Sequence, residues 1–306
     1  MKVVVFGYNI LGLLGFKKLL EHNFEIVALV THEDDPDEKI YFESVAEYAK
    51  SKGIKVFTPK SPNTEEFIEI LKELQPDAIF SFYYRNMISQ KILDIVDGNA
   101  YNLHGSLLPK FRGRCPVNWA LLFGETETGV TLHKMVKKAD RGDIADQEGF
   151  NILIEDTAKT LQPKMEKAAV ILLDRVLPLL RDEKAVFTVQ NEDDASYFGG
   201  RKPEDGIIDW GKNAFEVHNL VRAVTDPFPG AYSESALGKL IIWSSNVIDE
   251  SVVDKNHGVI TNISPFQIST GGGRLEVLTA QLDDSDIMTG SCLAKKMNLS
   301  VGSKVY

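Results

Sequence analysis

Cysteine is scarce in this chain: Cys115 and Cys292 are the only two among 306 residues. Two distant thiols do not make a disulfide framework, and reduced thiols in a cytoplasmic protein are the simpler expectation. Long apolar runs are also missing, so no membrane insertion is expected. The opening residues, MKVVVFGYNILGLLGFKKLL, begin basic and apolar as a secretory leader does. However, Val3 to Phe6 followed by Gly7 reads as a strand and turn, and no small-residue cleavage site follows. The stretch GYNILGLLG at 7–15 lacks the GxGxxG pattern, so a nicotinamide cofactor is not expected. Positive charge is not in excess. Against 44 Asp and Glu stand 34 Lys and Arg, a net of −10, which argues against nucleic acid as a partner. His32 with Glu33, Asp34 and Asp35 invites a metal reading, but a charged loop after a strand explains them better. No ligand spacing elsewhere suggests zinc, and no metal is expected.

What remains is an ordinary globular composition, 43% apolar and 25% charged, long enough for two domains. The first half alternates short apolar runs with helical patterns. Strands are expected at 2–6, 25–31, 55–57, 78–82 and 100–103, with helices at 11–22, 44–52 and 64–74 between them. Gly12 and Gly15 would allow the first helix to pack closely. Two further strands are expected at 129–135 and 143–151. Residues 157–180 read as one long helix or a pair, because Pro163 and Pro178 interrupt the pattern. Such alternation implies a Rossmann-like parallel sheet with helices on both faces. After a helix at 213–224, the remainder alternates apolar and polar residues in short runs at 240–247, 258–263, 267–270 and 275–280. Gly271-Gly272-Gly273 supplies a hairpin turn. The expected fold class is therefore α/β, a Rossmann-like parallel sheet domain (1–190) followed, after a linker (191–204), by a small OB-like β-barrel domain (205–306).

Ligands of open parallel sheets sit at the carboxyl ends of the strands. There the chain reads NLHGSLLPKFRGRCPVNW, residues 102–119. Asn102 and His104 are two apart, so both leave a strand on one face. An amide and an imidazole aimed at one point suit a reaction with an oxyanion-bearing tetrahedral intermediate. A strand-end histidine satisfied by backbone, beside a turn asparagine, is the alternative. Lys110, Arg112, Arg114, Arg201 and Lys202 could hold a phosphate or remain solvated surface charges. A thiol nucleophile at Cys115 is disfavoured, since Pro116 follows it.

These residues, with GETETGVTLHKMVKKADRGDI at 124–144, FSFYYRNMI at 80–88, RKPEDGIIDW at 201–210 and VRAVTDPFPGAY at 221–232, carry a resemblance over essentially the whole chain. The sequence resembles the formyltransferase family that uses 10-formyltetrahydrofolate. Within that family it looks most like the enzymes that formylate UDP-4-amino-4-deoxy-L-arabinose for lipid A modification and polymyxin resistance; VTHEDDP at 30–36 also points there. The resemblance implies Asn102, His104 and Asp140 as the catalytic set, with Asp140 raising the pKa of His104. It implies folate contacts at Asn86, Met87, Ile88 and Arg114 and along Val136, Lys137, Lys138, Ala139 and Asp140. Asn118, Arg201 and Lys202 are the candidates for the sugar nucleotide. The implied co-substrate is 10-formyltetrahydrofolate, and the implied acceptor a UDP-amino sugar. Such enzymes are usually fused to a UDP-glucuronate decarboxylating dehydrogenase, so fusion to or association with one is a further expectation. Rival readings are another nucleotide-amino-sugar N-formyltransferase, methionyl-tRNA formyltransferase, a formyltetrahydrofolate hydrolase and a folate-binding module. From Asp205 onward there are 12 acidic and 8 basic residues, a net of −4, which opposes a tRNA-binding barrel.

Overall fold

The computed structural model describes residues 1–33, 43–235, 238–249 and 256–306. The chain divides into two compact units. One comprises residues 1–113, 128–150 and 163–198, and the other 114–127, 151–162 and 199–306. Asp34 and Asp35, weighed above with His32, lie outside the described residues.

In chain order the first half runs β1 (Lys2–Gly7), α1 (Asn9–Glu21), β2 (Glu25–Val30), α2 (Val45–Ser51), β3 (Lys55–Phe57), α3 (Glu65–Glu73), β4 (Ala78–Phe82) and α4 (Gln90–Leu93). It continues through β5 (Ala100–His104), β6 (Arg112–Gly113), α5 (Pro116–Leu122), β7 (Glu127–Lys134), β8 (Ile144–Asn151), α6 (Ala158–Arg181) and β9 (Tyr197–Phe198). The first unit is built on a seven-stranded sheet ordered β3-β2-β1-β4-β5-β7-β8. Strands β1 to β5 pair in parallel, and strand order reverses between β1 and β4. Val3, Val4, Val5 and Phe6 are wholly buried, as in a strand covered on both faces. Ser44 and Thr64 accept from Glu47 N–H and Phe67 N–H and so start α2 and α3.

Two expectations are sharpened by the structure. The Rossmann-like sheet is parallel through β3-β2-β1-β4-β5 and becomes mixed beyond it, because β7 runs antiparallel to β5. The chain leaves β5 at the sheet's carboxyl edge and re-enters from that same edge, which reverses the next strand. Of the two readings of 157–180, the single long helix is the one observed: α6 has 24 residues with Pro163 and Pro178 inside it. Each proline removes one helix hydrogen bond. Burial of Met165, Ala169, Leu172, Leu173 and Val176 along one face outweighs that loss.

Gly15 marks where α1 meets the sheet. A Cβ there would lie 2.5 Å from the ring of Phe82, which is itself fully buried. We expect Gly15→Ala to cost about 1–3 kcal/mol through overpacking. Urea unfolding reads this directly, and an unchanged midpoint would show that the contact yields.

The second unit holds α5 and, further on, α7 (Ala214–Val224), β10 (Ala231–Ser235), β11 (Gly238–Asp249), β12 (Ile260–Ile263), β13 (Phe266–Ser269), β14 (Arg274–Leu282), β15 (Met288–Thr289) and α8 (Gly290–Lys296). Asn213 and Glu216 form a reciprocal capping box at the start of α7. Where a small barrel is expected, the strands form a six-stranded antiparallel sheet, β10-β11-β14-β13-β12, with β15 branching from β14. The triglycine turn joins β13 to β14, with Ser269 paired to Arg274. Register shifts between Ile242 and Ser245 move the buried phase of β14 from Leu275 and Val277 to Ala280 and Leu282. Among the described residues no helix is long and apolar enough to cross a membrane.

Candidate active site

The carboxyl end of β5 presents Asn102 and His104 on one face. Antiparallel β7 sets His133 opposite Asn102 and Thr131 opposite His104. Asp140 arrives from the loop after β7, in the left-handed region at φ +58. That loop is anchored at several points. Lys134 N–H donates to the Asp143 carbonyl, and the Gln190 amide donates to the carbonyls of Asp140 and Gly142 at 2.9 and 2.7 Å. Gly142 sits so close to Lys134 that a Cβ would lie 1.9 Å from the Lys134 carbonyl oxygen.

Asp140 Oδ1 lies 3.6 Å from His104 Nδ1 and 3.5 Å from His133 Nε2. Its Oδ2 accepts from Gly113 N–H at 2.8 Å. Asn102 Nδ2 is 3.2 Å from His133 Nε2. His104 Nε2 is 2.8 Å from the Phe111 carbonyl oxygen, and His133 Nδ1 is 2.7 Å from that of Lys134. All three predicted residues therefore converge.

Burial opposes ionisation of Asp140. Even so, the His104 imidazole, His133 and the Gly113 N–H together pull its pKa down to about 2. His104 corrects the sequence reading. Burial pushes its pKa below the ordinary 6.5, and the opposing pull of Asp140 and of the Phe111 carbonyl does not reverse this. The backbone-satisfied alternative also holds for one edge of the ring. A carbonyl can only accept, so Nε2 carries the proton of the neutral ring and Nδ1 holds the lone pair.

The remaining candidates separate. Met87 is 62% exposed, its carbonyl held by the Asn63 amide at 2.8 Å, while Ile88 packs on the core beneath. Asn86 donates to the Lys60 carbonyl at 3.3 Å. Val136, Lys137 and Lys138 are exposed; Ala139 is half-buried. Arg112, weighed as a phosphate ligand, is 1% exposed and spends its guanidinium on Gln190 Oε1 and the Glu192 carboxylate. Asn118, read as orienting the sugar, is 8% exposed and donates to the Ala223 carbonyl at 2.6 Å, which ties α5 to α7. A buried amide spent on backbone is a structural clamp, not a presented ligand group.

In the second unit Arg201 lies over the Trp119 ring at 5.0 Å and donates to the Asp205 carbonyl at 2.8 Å. Exposed Arg114 comes to the same place, its guanidinium 3.6 Å from where a Cβ on Gly200 would be. Lys202 is exposed, and its N–H donates to Asp205 Oδ2 at 2.7 Å. Cys115 and Cys292 are exposed free thiols.

Two features stand outside the expected site residues. One is His133, at an ordinary alternating position in β7. The other is an aromatic cluster where the strand order reverses. His32 stacks on Tyr84 at 4.4 Å and meets Tyr8 edge-on, and Arg85 lies over Tyr8. The run Tyr83-Tyr84-Arg85 directly after β4 is the sequence signal for the second. Among the described residues no group of three or more His, Cys, Asp or Glu could hold a metal ion.

A polar acid–base cluster at the carboxyl edge of a doubly wound sheet defines the protein as an α/β enzyme. The formyl transferase family model matches residues 1–177, and the model of the formyl transferase C-terminal domain matches residues 201–298. The chain belongs to the formyl transferase family. Among solved structures it is similar to WlaRD, a sugar 3N-formyl transferase studied with dTDP and 5-N-formyl-THF. The TM-score is 0.71 at 23% identity, over 94% of this chain and 99% of that one. An N-formyltransferase from Helicobacter canadensis, in complex with folinic acid and dTDP-3-aminofucose, gives 0.69 at 23% identity, over 90% and 97%. HypX from Aquifex aeolicus, in complex with tetrahydrofolic acid, gives 0.61 at 16% identity, over 98% of this chain and 48% of that one. At these identities the likeness is one of fold.

Proposed function

We propose that this enzyme transfers a formyl group from 10-formyltetrahydrofolate to the 4-amino group of UDP-4-amino-4-deoxy-L-arabinose, in lipid A modification and polymyxin resistance. The convergence of Asn102, His104 and Asp140 carries the reading. Sequence blocks spread along the whole chain support the acceptor, and the folate-bound sugar N-formyltransferases of the same fold support the donor. The exposed free thiols fit a cytoplasmic protein.

When bound, the folate supplies the formyl carbon. The sugar amine forms a new C–N bond to it, the bond to N10 breaks, the amine gives up a proton and N10 receives one. Asn102 donates an amide N–H to the oxygen of the formyl carbonyl as charge develops there. His104 is held neutral and takes the proton at Nδ1. The imidazolium so formed faces the Asp140 carboxylate, which is ionised throughout the physiological range. The loop at Asn86, Met87 and Ile88 offers an apolar ledge for a flat ring, and the backbone of Val136 to Asp140 offers hydrogen-bonding groups. The exposed Arg114 with Arg201 and Lys202 offers three cations for a diphosphate. Association with a UDP-glucuronate decarboxylating dehydrogenase belongs to this reading.

A second reading has specific support: the dTDP of one similar structure and the dTDP-3-aminofucose of another favour another nucleotide-amino-sugar acceptor equally. A panel of UDP- and dTDP-amino sugars, with limiting 10-formyltetrahydrofolate and mass detection, separates the two. We expect the UDP-4-amino-arabinose to be formylated with the highest kcat/KM and methionyl-tRNA not at all. Preference for a dTDP sugar would promote the second reading. Formylation of the tRNA would overturn both, and formate release without any acceptor product would indicate a hydrolase.

A further inference from the structure

His133 lies on β7, 1% exposed, directly across the ladder from Asn102. Its Nδ1 is 2.7 Å from the Lys134 carbonyl oxygen, which can only accept, so Nδ1 carries the proton. The neutral ring then has its lone pair on Nε2, 3.2 Å from Asn102 Nδ2. Only one orientation of the amide satisfies this contact. Asn102 must turn its NH2 toward the ring, because the reversed amide would set Oδ1 against a lone pair. One amide N–H is thereby spent on His133, and the direction of the other is fixed. The same Nε2 is 3.5 Å from Asp140 Oδ1, so a ring protonated there would turn to the carboxylate and release Asn102.

We propose that His133 is a positioning residue whose Nδ1–H tautomer aims the Asn102 amide at the formyl oxygen. This rests on the formyl-transfer reading above. His133 need touch neither substrate. It acts through Asn102, and its loss should lower kcat rather than raise KM.

Two substitutions separate the functions of the ring. His133→Asn keeps a donor for the Lys134 carbonyl but cannot reach Asn102. His133→Gln places an acceptor near the position of Nε2. We expect His133→Asn to lower kcat about 10- to 100-fold, the usual scale for losing an orienting partner, with KM for both substrates unchanged. His133→Gln should recover most of that loss. In an Asn102→Ala background His133→Asn should have no further effect, as coupled residues require. An equal loss in both backgrounds would reduce His133 to a packing residue and overturn the proposal. Nitrogen-15 NMR of the histidine-labelled wild-type chain reads the tautomer without any turnover or variant. An Nε2–H tautomer at His133 would overturn the proposal outright. A wild-type protein with the Nδ1–H tautomer that transfers formyl to no acceptor would overturn the formyl-transfer reading instead, leaving the amide orientation standing.

Discussion

His104→Ala is expected to lower kcat by about 100- to 10,000-fold, the range for losing a positioned acid–base group. Folate affinity should survive, since the loop at Asn86 to Ile88 does not depend on the imidazole. The substitution empties a buried site and leaves the Phe111 carbonyl without its donor, so some stability will go with it. His104→Gln offers a side-chain amide for that carbonyl but no base, and serves as the control. If both variants fold and bind folate but turn over within tenfold of wild type, the assignment of His104 fails. Asn102→Ala should cost about 100- to 1000-fold by removing the oxyanion donor.

The pH dependence gives the second large effect. The folded-state pKa of His104 lies below its ordinary 6.5, so neutral His104 favours the folded state above that value. That contribution is lost as pH falls through the folded pKa. Asp140 is depressed from 3.8 to about 2, so its contribution is present above 3.8 and lost between there and about 2. Acidification should therefore remove stability in two stages, with Asp140 accounting for about 2 kcal/mol of the second. In Asp140→Asn the lower stage should vanish. The upper one should still begin near 6.5 but run on to lower pH, because no carboxylate remains to favour the imidazolium. Activity should follow: the acidic limb of kcat/KM in wild type lies below 6.5 and moves further down in Asp140→Asn. Urea unfolding across pH and a kcat/KM profile measure both. A limb above 7 would mean a cationic His104 and would defeat the proton-acceptor role.

How much of this was legible beforehand depends on how local the signal is. The strand at Ala78–Phe82 and the helix capped by Asn213 were readable because an apolar run or a capping box lies within a few residues. The same-face placement of Asn102 and His104 followed from the period of a strand alone. The direction of β7 was not legible, because strand direction is set by the path of the connection and not by the residues of the strand. Nor was the pKa of His104, where the resemblance implied the attraction of Asp140 but not a burial that outweighs it. Arg112 and Asn118 show the same limit. An arginine or asparagine reads identically whether it meets a ligand or a backbone carbonyl, and only tertiary packing decides. His133 was hidden because its importance lies in its cross-strand partner, 31 positions away.

The ladder between β5 and β7 holds the reacting side chains by backbone pairing rather than by the loop that joins the strands. Asn102, His104, Thr131 and His133 are locked by strand register, and the chain between them leaves and returns at fixed points. The pairing itself sets no length for the intervening segment. Doubling such a loop costs only about 0.6 kcal/mol in closure entropy. The excursion is not free throughout, however: its Phe111 carbonyl holds His104 Nε2 and its Gly113 N–H holds Asp140 Oδ2, so only an exchange that keeps these two backbone contacts leaves the proton-handling residues in place.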